Sequence, residues 1–483
     1  MLTGSAPSAR PADRKDEGSG ENGENGPRRY AVYGTGHRAA MYVDAMLQDF
    51  SDVAEPVAWC DPNDTRMSHY TAQARAAGHT PVHYHPDQLA TMLREERIDV
   101  LVVCSPDHTH AAAVSAALRA GVDVVCEKPL TIDEAGLAAI EAAAAGSGAR
   151  LTVTFNYRYS PRNSALKQVI ADGAIGKVLS VHFEWLLDTV HGADYFRRWH
   201  REKGSSGGLA VHKATHHFDL VNWWLDDVPE TVHALGGLRF YGDRGAGRPA
   251  GPRPSLGRDA AADDPYGFDM SGDDRLRGLY LNAEAEDGYL RDRDVFDPGI
   301  DIEDTLSVLV GYRGGSSMTY SLTAHSPWEG YRVSVNGSRG RAELEVVERA
   351  HVASGTASDL LAWRTEAPDG TLPAPVSRPA VDPSVTPGSA GTATGARTEG
   401  SRLVVQRHWD VAREVPIEEG EGGHGGGDAL LLVDVFRRAG EDPLHRRAGY
   451  EDGLRSVAVG VAVNESLRTG GPVRTYGTRG GRG

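Results

Sequence analysis

Tyr30-Ala31-Val32-Tyr33-Gly34-Thr35-Gly36-His37-Arg38-Ala39 is the stretch from which the fold can be read. A short apolar run passes directly into a Gly-x-Gly-x-x-Ala pattern, so a buried strand ends in a tight turn and a helix begins. Gly34 permits the turn, Gly36 lets a pyrophosphate approach the backbone, and Ala39 allows the helix to pack closely on the strand. The start of such a helix offers free N–H groups and a positive dipole end to a diphosphate. Gly34, Thr35, Gly36, His37 and Arg38 are therefore expected to line a dinucleotide.

Short apolar runs continue outward from this motif. Val57 to Cys60, Val82 to Tyr84, Val100 to Cys104, Val122 to Cys126 and Leu151 to Phe155 read as further strands, with helical stretches after nearly all of them. Strands that alternate with helices make βαβ units and a parallel sheet. The second strand ends in Trp59-Cys60-Asp61, where a carboxylate would accept ribose hydroxyls and repel a 2′-phosphate. NAD is favoured over NADP; the plainer role for Asp61 is to cap the helix that follows.

The grammar changes after Asn156. Val178 to Leu187 and Thr231 to Tyr241 read as strands around a helix from Leu209 to Leu225. Thr305 to Tyr312 and Met318 to Thr323 flank an Arg-Gly-Gly turn, and Val333 to Val335 leads through Asn336-Gly337 towards Ala342 to Val347, an antiparallel pattern. The expected architecture is an α/β Rossmann domain (29–156) followed by an α+β domain (157–475) with a large, mostly antiparallel sheet. Residues 1–28 and 476–483 read as flexible tails, and 242–298 and 354–400 as loop insertions, partly mobile.

Bulk properties narrow the function. The formal net charge of −16 disfavours nucleic acid, and no apolar run approaches the ~20 residues of a bilayer span. With no leader pattern and three cysteines placed at strand ends, a soluble cytoplasmic protein is expected.

Candidate chemistry gathers at the predicted carboxyl ends of the strands. Ser105-Pro106-Asp107-His108-Thr109-His110 follows the fourth strand and Glu127-Lys128-Pro129 the fifth, on the edge where such sheets bind ligands. Asp107 also suits a helix N-cap. The Lys128 ammonium would face the crevice and lower the pKa of a substrate hydroxyl. On the helix from Leu209, spacings of four and seven residues put His212, His216 and Asp219 on one face and rotate His217 off it. A histidine is the natural base for removing a hydroxyl proton while hydride leaves the same carbon. The alternatives are core histidines and a zinc site, but His-Lys-Ala-Thr-His is not HExxH, and no metal is assigned. Tyr157, Arg158, Trp199, His200, Arg201 and Lys213 are candidates for contacts to sugar hydroxyls, and Gly425-Gly426-Gly427 for a close backbone approach to substrate, with Asp428 capping a helix from Ala429.

In order along the chain, Gly34-Thr35-Gly36, Ser105 to His110, Glu127-Lys128-Pro129, Asn156-Tyr157-Arg158, Gly207-Gly208 with His216 and Asp219, and Ala462-Val463-Asn464-Glu465-Ser466 resemble the landmarks of the glucose-fructose oxidoreductase, inositol dehydrogenase and MocA (Gfo/Idh/MocA) family. The resemblance implies that Lys128 and His216 are catalytic and that the nicotinamide lies beside Glu127-Lys128-Pro129. It adds Ser105, Pro106, Asp107, His110, Glu127, Lys128 and Asn156 to the cofactor contacts, and gives Tyr157, Arg158, Trp199, Lys213, His216 and Asp219 to the substrate. Inositol dehydrogenase-like members carry aspartate where this chain has His212, so either His212 orients the substrate or the proton relay differs. The resemblance implies an NAD(H)-dependent oxidoreductase acting on a secondary alcohol of a sugar, glycoside or polyol. The family also holds redox-neutral glycosidases that recycle NAD and non-catalytic sensors, and epimerisation through a retained cofactor is a related possibility. A homodimer or homotetramer is expected through an exposed apolar face of the second sheet.

Overall fold

The computed structural model describes residues 26–352, 397–418, 423–438 and 440–477. Most of the predicted insertion 354–400 and of the predicted N-terminal tail, and the last six residues, lie outside the described residues. Strands β1 (Arg28–Tyr33), β2 (Ala54–Cys60), β3 (Val82–Tyr84), β4 (Val100–Val103), β5 (Asp123–Cys126) and β6 (Leu151–Val153) form one sheet in the order β3-β2-β1-β4-β5-β6. Every pairing is parallel. All four residues of β4 are buried, as a strand covered by helices on both faces requires. The helices α1 (Ala39–Leu47) and α2 (Asp64–Ala76) follow β1 and β2.

The second sheet contains β7 (Val178–Asp188), β8 (Pro229–Gly237), β9 (Thr305–Tyr312), β10 (Ser317–Ser326), β11 (Glu329–Gly337), β12 (Gly340–Arg349), β13 (Gly400–Arg407), β14 (Arg413–Val415) and β15 (Val473–Arg474). Their order is β14-β13-β12-β11-β7-β10-β9-β8-β15, and only the β10–β7 pair is parallel. The expected fold class is therefore present. The turn predicted at Asn336-Gly337 falls two residues later: Gly337 pairs with Gly340, leaving Ser338 and Arg339 as the loop.

Alternation sets the two faces of this sheet. Along β10, Met318, Tyr320, Leu322 and Ala324 are buried under helices, while Ser317 and Thr319 point away. The uncovered face is not the continuous apolar surface expected, because its positions carry His182, Glu184, Thr319, Ser321, Arg332 and Ser334. Leu179, Leu235 and Leu309 are exposed apolar residues of these strands. No helix among the described residues is long and apolar enough to cross a membrane.

Two further expectations change. The helix predicted from Leu209 to Leu225 is interrupted at Lys213, giving Leu209–His212 and Ala214–Leu225. The cause is competition for carbonyls: the Thr215 hydroxyl donates to Val211 O at 2.7 Å, Lys128 Nζ donates to His212 O at 3.1 Å, and the His216 N–H turns to Lys213 O at 3.3 Å. The stretch 242–298, read as a loop, contains helices at Asp274–Leu279 and Glu284–Asp287. The Asp304 carboxylate accepts N–H groups from Arg239, Phe240 and Tyr241 where the chain leaves β8. Phe268, Met270 and Leu276 pack with Val190 as a small separate core, too sparse for a periodic pattern.

Candidate active site

At the glycine turn, Gly34 has φ +91°, and a Cβ there would lie 2.4 Å from the backbone of Ser105. Only glycine fits between the ends of β1 and β4. Burial pushes the His37 imidazole down to about 3, and the charges of Arg275, Arg291, Arg198 and Arg38 add to this. These guanidiniums are themselves paired with carboxylates, Arg38 with Glu127, Arg198 and Arg291 with Asp194, and Arg275 with Asp44. The glycine cradle at the start of α1 fits a dinucleotide.

Asp61 is turned inward. Its carboxylate accepts the Thr35 N–H at 2.7 Å and the Asn63 N–H at 2.9 Å, so it braces the glycine turn. The cap of α2 is Asn63, whose Oδ1 accepts the Arg66 N–H. Burial raises the Asp61 carboxyl above its usual range, against the pull of Arg66 and these N–H groups.

The 242–298 segment reaches across this cleft. Leu279 is buried among residues of β1, α1 and α2, and the Tyr280 hydroxyl accepts the His37 N–H at 3.0 Å. Asn63 Nδ2 donates to Ala283 O, and Arg275 pairs with Asp44 at 3.1 Å.

Farther along the same carboxyl edge, past the ends of β4 and β5, three predicted residues meet. Lys128 Nζ lies 3.4 Å from His212 Nε2, and His212 Nδ1 lies 2.6 Å from Asp107 Oδ2. An ammonium has no acceptor, so Nε2 carries the lone pair and Nδ1–H donates to Asp107. Burial lowers His212 well below the usual histidine range, and Lys128 reinforces this, so the imidazole is neutral at physiological pH. Burial also brings the Lys128 ammonium down to about 8, opposed by Asp107 and Glu127. Asp107 is pushed well above the carboxylate range by burial, with Lys128 and Arg198 pulling the other way. Asp107 begins a short 3-10 turn after Pro106 and makes no side-chain cap there.

His216 sits against Phe155 and Tyr157, with ring centroids at 6.0 and 4.6 Å. Lys213 donates to the Tyr157 hydroxyl at 3.2 Å and lies over the Tyr157 and Trp185 rings. Trp199 stacks on His200 at 3.6 Å, and both contact the His212 ring. Arg158 and Asp219 are bonded to each other at 2.5 and 2.7 Å, with the arginine also near Asp452. Both are buried, so their polar groups serve the interior. Asn156 donates to Asp428, whose position inside the helix Gly423–Arg437 replaces the expected cap. Gly427 is pressed against the Asn156 backbone, where a Cβ would lie 2.4 Å from its carbonyl oxygen. Glu127 accepts from Arg38 and Tyr42, and the His110 nitrogens lie 2.8 Å from Ser105 O and Pro129 O, tying the two catalytic-edge loops together.

Sequence reading missed Tyr195. It touches the His212 and His200 rings, and its hydroxyl is 3.0 Å from His191 Nε2, whose Nδ1 is 2.5 Å from Glu329. The spacing of four between His191 and Tyr195 is helical, but no local pattern links Tyr195 to His212 or His191 to Glu329. Among the described residues no group of three or more His, Cys, Asp or Glu is placed to hold a metal ion.

Comparison with known proteins gives a consistent picture. Residues 28–155 match the description "Oxidoreductase family, NAD-binding Rossmann fold", and residues 167–361 match the C-terminal alpha/beta domain of the same family. YteT of Bacillus subtilis (strain 168), whose name assigns it provisionally to the oxidoreductases, is 33% identical over 449 residues, 90% of this chain and 94% of its own. An inositol 2-dehydrogenase of Rhizobium meliloti (strain 1021) is 32% identical over 151 residues, 31% of this chain and 44% of its own. Levoglucosan dehydrogenase, solved with NADH and L-sorbose, shares the fold with a TM-score of 0.58 at 16% identity, covering 93% of this chain and 99% of that one. Aldose-aldose oxidoreductase from Caulobacter crescentus gives a TM-score of 0.56 at 15% identity, with coverage of 93% and 99%.

Proposed function

Because the chain belongs to the Gfo/Idh/MocA oxidoreductase family, we propose that it interconverts a secondary alcohol and a ketone on a sugar, glycoside or polyol with NAD(H). The observation that carries this reading is the chain from Lys128 through His212 to Asp107 at the carboxyl edge of the parallel sheet. Relatives named inositol 2-dehydrogenase and levoglucosan dehydrogenase support a polyhydroxylated substrate.

In this reading residues 29–156 hold the cofactor and 157–475 the substrate. Bound beside Glu127-Lys128-Pro129, NAD(H) supplies the hydride acceptor or donor. Lys128 Nζ holds the reacting oxygen and lowers the pKa of its hydroxyl. His216 carries the hydroxyl proton. His212, fixed by Asp107, orients both Lys128 and the substrate. Trp199, Tyr157 and Lys213 supply a wall of ring faces and polar tips suited to a sugar. Three free cysteines are in keeping with a cytoplasmic protein, and the exposed Leu179, Leu235 and Leu309 of the second sheet with a homodimer or homotetramer.

The test is absorbance at 340 nm during a screen of inositols, hexoses and glycosides, after spectroscopy of the purified protein for bound NAD(H). Turnover with a polyhydroxylated alcohol is the expected result; dinucleotide binding with no turnover on any of them would leave a cofactor sensor. The segment lying over the dinucleotide turn, with Tyr280 on the His37 N–H, favours a second reading. There the hydride returns to the same sugar, giving epimerisation or glycoside cleavage. Product formation with no net change at 340 nm distinguishes it.

A further inference from the structure

The inserted segment also reaches the adenosine end of the cleft. In a parallel sheet of this order the adenosine ribose lies beside the end of β2. A 2′-phosphate there is held by a nearby arginine, and free N–H groups at the start of a helix attract such an anion. This chain has both elements, in Arg66 and in the N–H groups of Asp64 and Thr65 that open α2. Both are already engaged. Glu286 Oε1 and Oε2 accept the Asp64 and Thr65 N–H groups at 2.6 and 3.0 Å. The Arg66 guanidinium is bonded to Asp287 and lies 3.5 Å from Asp61. Asp61, the residue whose position suggests discrimination, is only 6% exposed and holds the glycine turn.

We propose that Glu286 and Asp287 determine the selectivity of this protein for NAD over NADP, by occupying the two N–H groups and the guanidinium that a 2′-phosphate would use. The proposal rests on NAD as the cofactor and is independent of which alcohol is the substrate. A phosphate arriving there must displace two carboxylates or sit beside them, and like charges at short range oppose it. Gln and Asn at these positions keep the shape and one acceptor each while removing the charge.

The test is calorimetric titration of the full chain with NAD and with NADP. Wild-type protein should bind NAD at least tenfold more tightly. The double variant Glu286→Gln/Asp287→Asn should gain at least tenfold in NADP affinity, with NAD affinity changed less than threefold. Arg66→Leu added to that pair should remove the gain. Glu284→Gln, which breaks an ion pair with Arg258 within the segment, should leave the ratio unchanged. A folded double variant with NAD affinity kept and no gain for NADP overturns the proposal, as does wild-type protein that binds both equally. If circular dichroism shows the double variant unfolded, the single variants decide, and no gain in either overturns it. Wild-type protein that binds neither dinucleotide overturns the cofactor assignment, and the proposal with it.

Discussion

Asp107 Oδ2 and His212 Nδ1 lie 2.6 Å apart, joining the loop after β4 to the interrupted helix 105 residues later in the chain. The bond fixes the imidazole tautomer and so presents Nε2 to Lys128. Asp107→Asn should lower kcat by roughly tenfold to a hundredfold, while NAD affinity stays within about threefold. Steady-state kinetics with calorimetry checks it. A change confined to KM would mean that Asp107 acts on substrate binding alone.

Lys128→Ala and His216→Ala should each reduce turnover by roughly 10²-fold or more with cofactor binding retained. His217 differs. Its Nδ1 is 2.7 Å from the Tyr320 hydroxyl and its ring stacks on Trp185, so His217→Ala should act mainly on thermal stability, by about 1–3 kcal/mol. Equal losses of turnover in all three variants with unchanged melting temperatures would contradict this division.

The ammonium of Lys128 titrates near 8 because burial opposes its charge. Only the charged form of Lys128 can hold the reacting oxygen and lower the pKa of its hydroxyl, and that form is lost as the pH rises through about 8. Rates of both oxidation and ketone reduction should therefore carry a limb that falls above about pH 8. Lys128→Met should remove that limb along with most of the activity. A wild-type profile that is flat between about pH 7 and 9 would remove the Lys128 charge from the reaction.

Arg158 and Asp219, read in the sequence as substrate contacts, are an internal ion pair. Removing one member leaves a buried charge alone, at a cost of about 3–5 kcal/mol. Arg158→Ala should lower the urea midpoint by a corresponding amount, with KM little changed in the folded fraction. A rise in KM without loss of stability would restore the sequence reading.

The uncovered face of the second sheet is mixed, with exposed Leu179, Leu235 and Leu309 among polar neighbours. A dimer or tetramer through this face should give a light-scattering mass of two or four times 51.7 kDa at micromolar concentration. Leu235→Asp with Leu309→Asp should shift it towards the single-chain mass. A single-chain mass for the wild type would exclude that interface.

The parallel sheet was legible because each strand is a local run of apolar residues and each helix follows at short range, from Val32 to Val153. Lys128 was legible as a residue at a strand end, where position alone gives access to the crevice. The pairing of Asp107 with His212 was not, since a carboxylate before a helix reads as a cap whatever else it reaches. The break at Lys213 was hidden for a related reason: it depends on Lys128 taking a carbonyl from a segment 84 residues away. The packing of Tyr280 and Glu286 onto α1 and α2 was invisible because its interactions are single hydrogen bonds and ion pairs with no repeat to detect.

The Tyr280 hydroxyl already accepts the N–H that the diphosphate of a dinucleotide needs. Loading the cofactor is then an exchange of one acceptor for another, and unloading requires the phenol to return as the diphosphate leaves. The rest of the segment is anchored separately, by Arg275 on Asp44 and by Ala283 O on Asn63, so the exchange can be confined to the Tyr280 side chain while Glu286 and Asp287 keep their places. One phenol then serves as the stand-in for the diphosphate, and the part of the segment that faces the adenosine end need not rearrange with it.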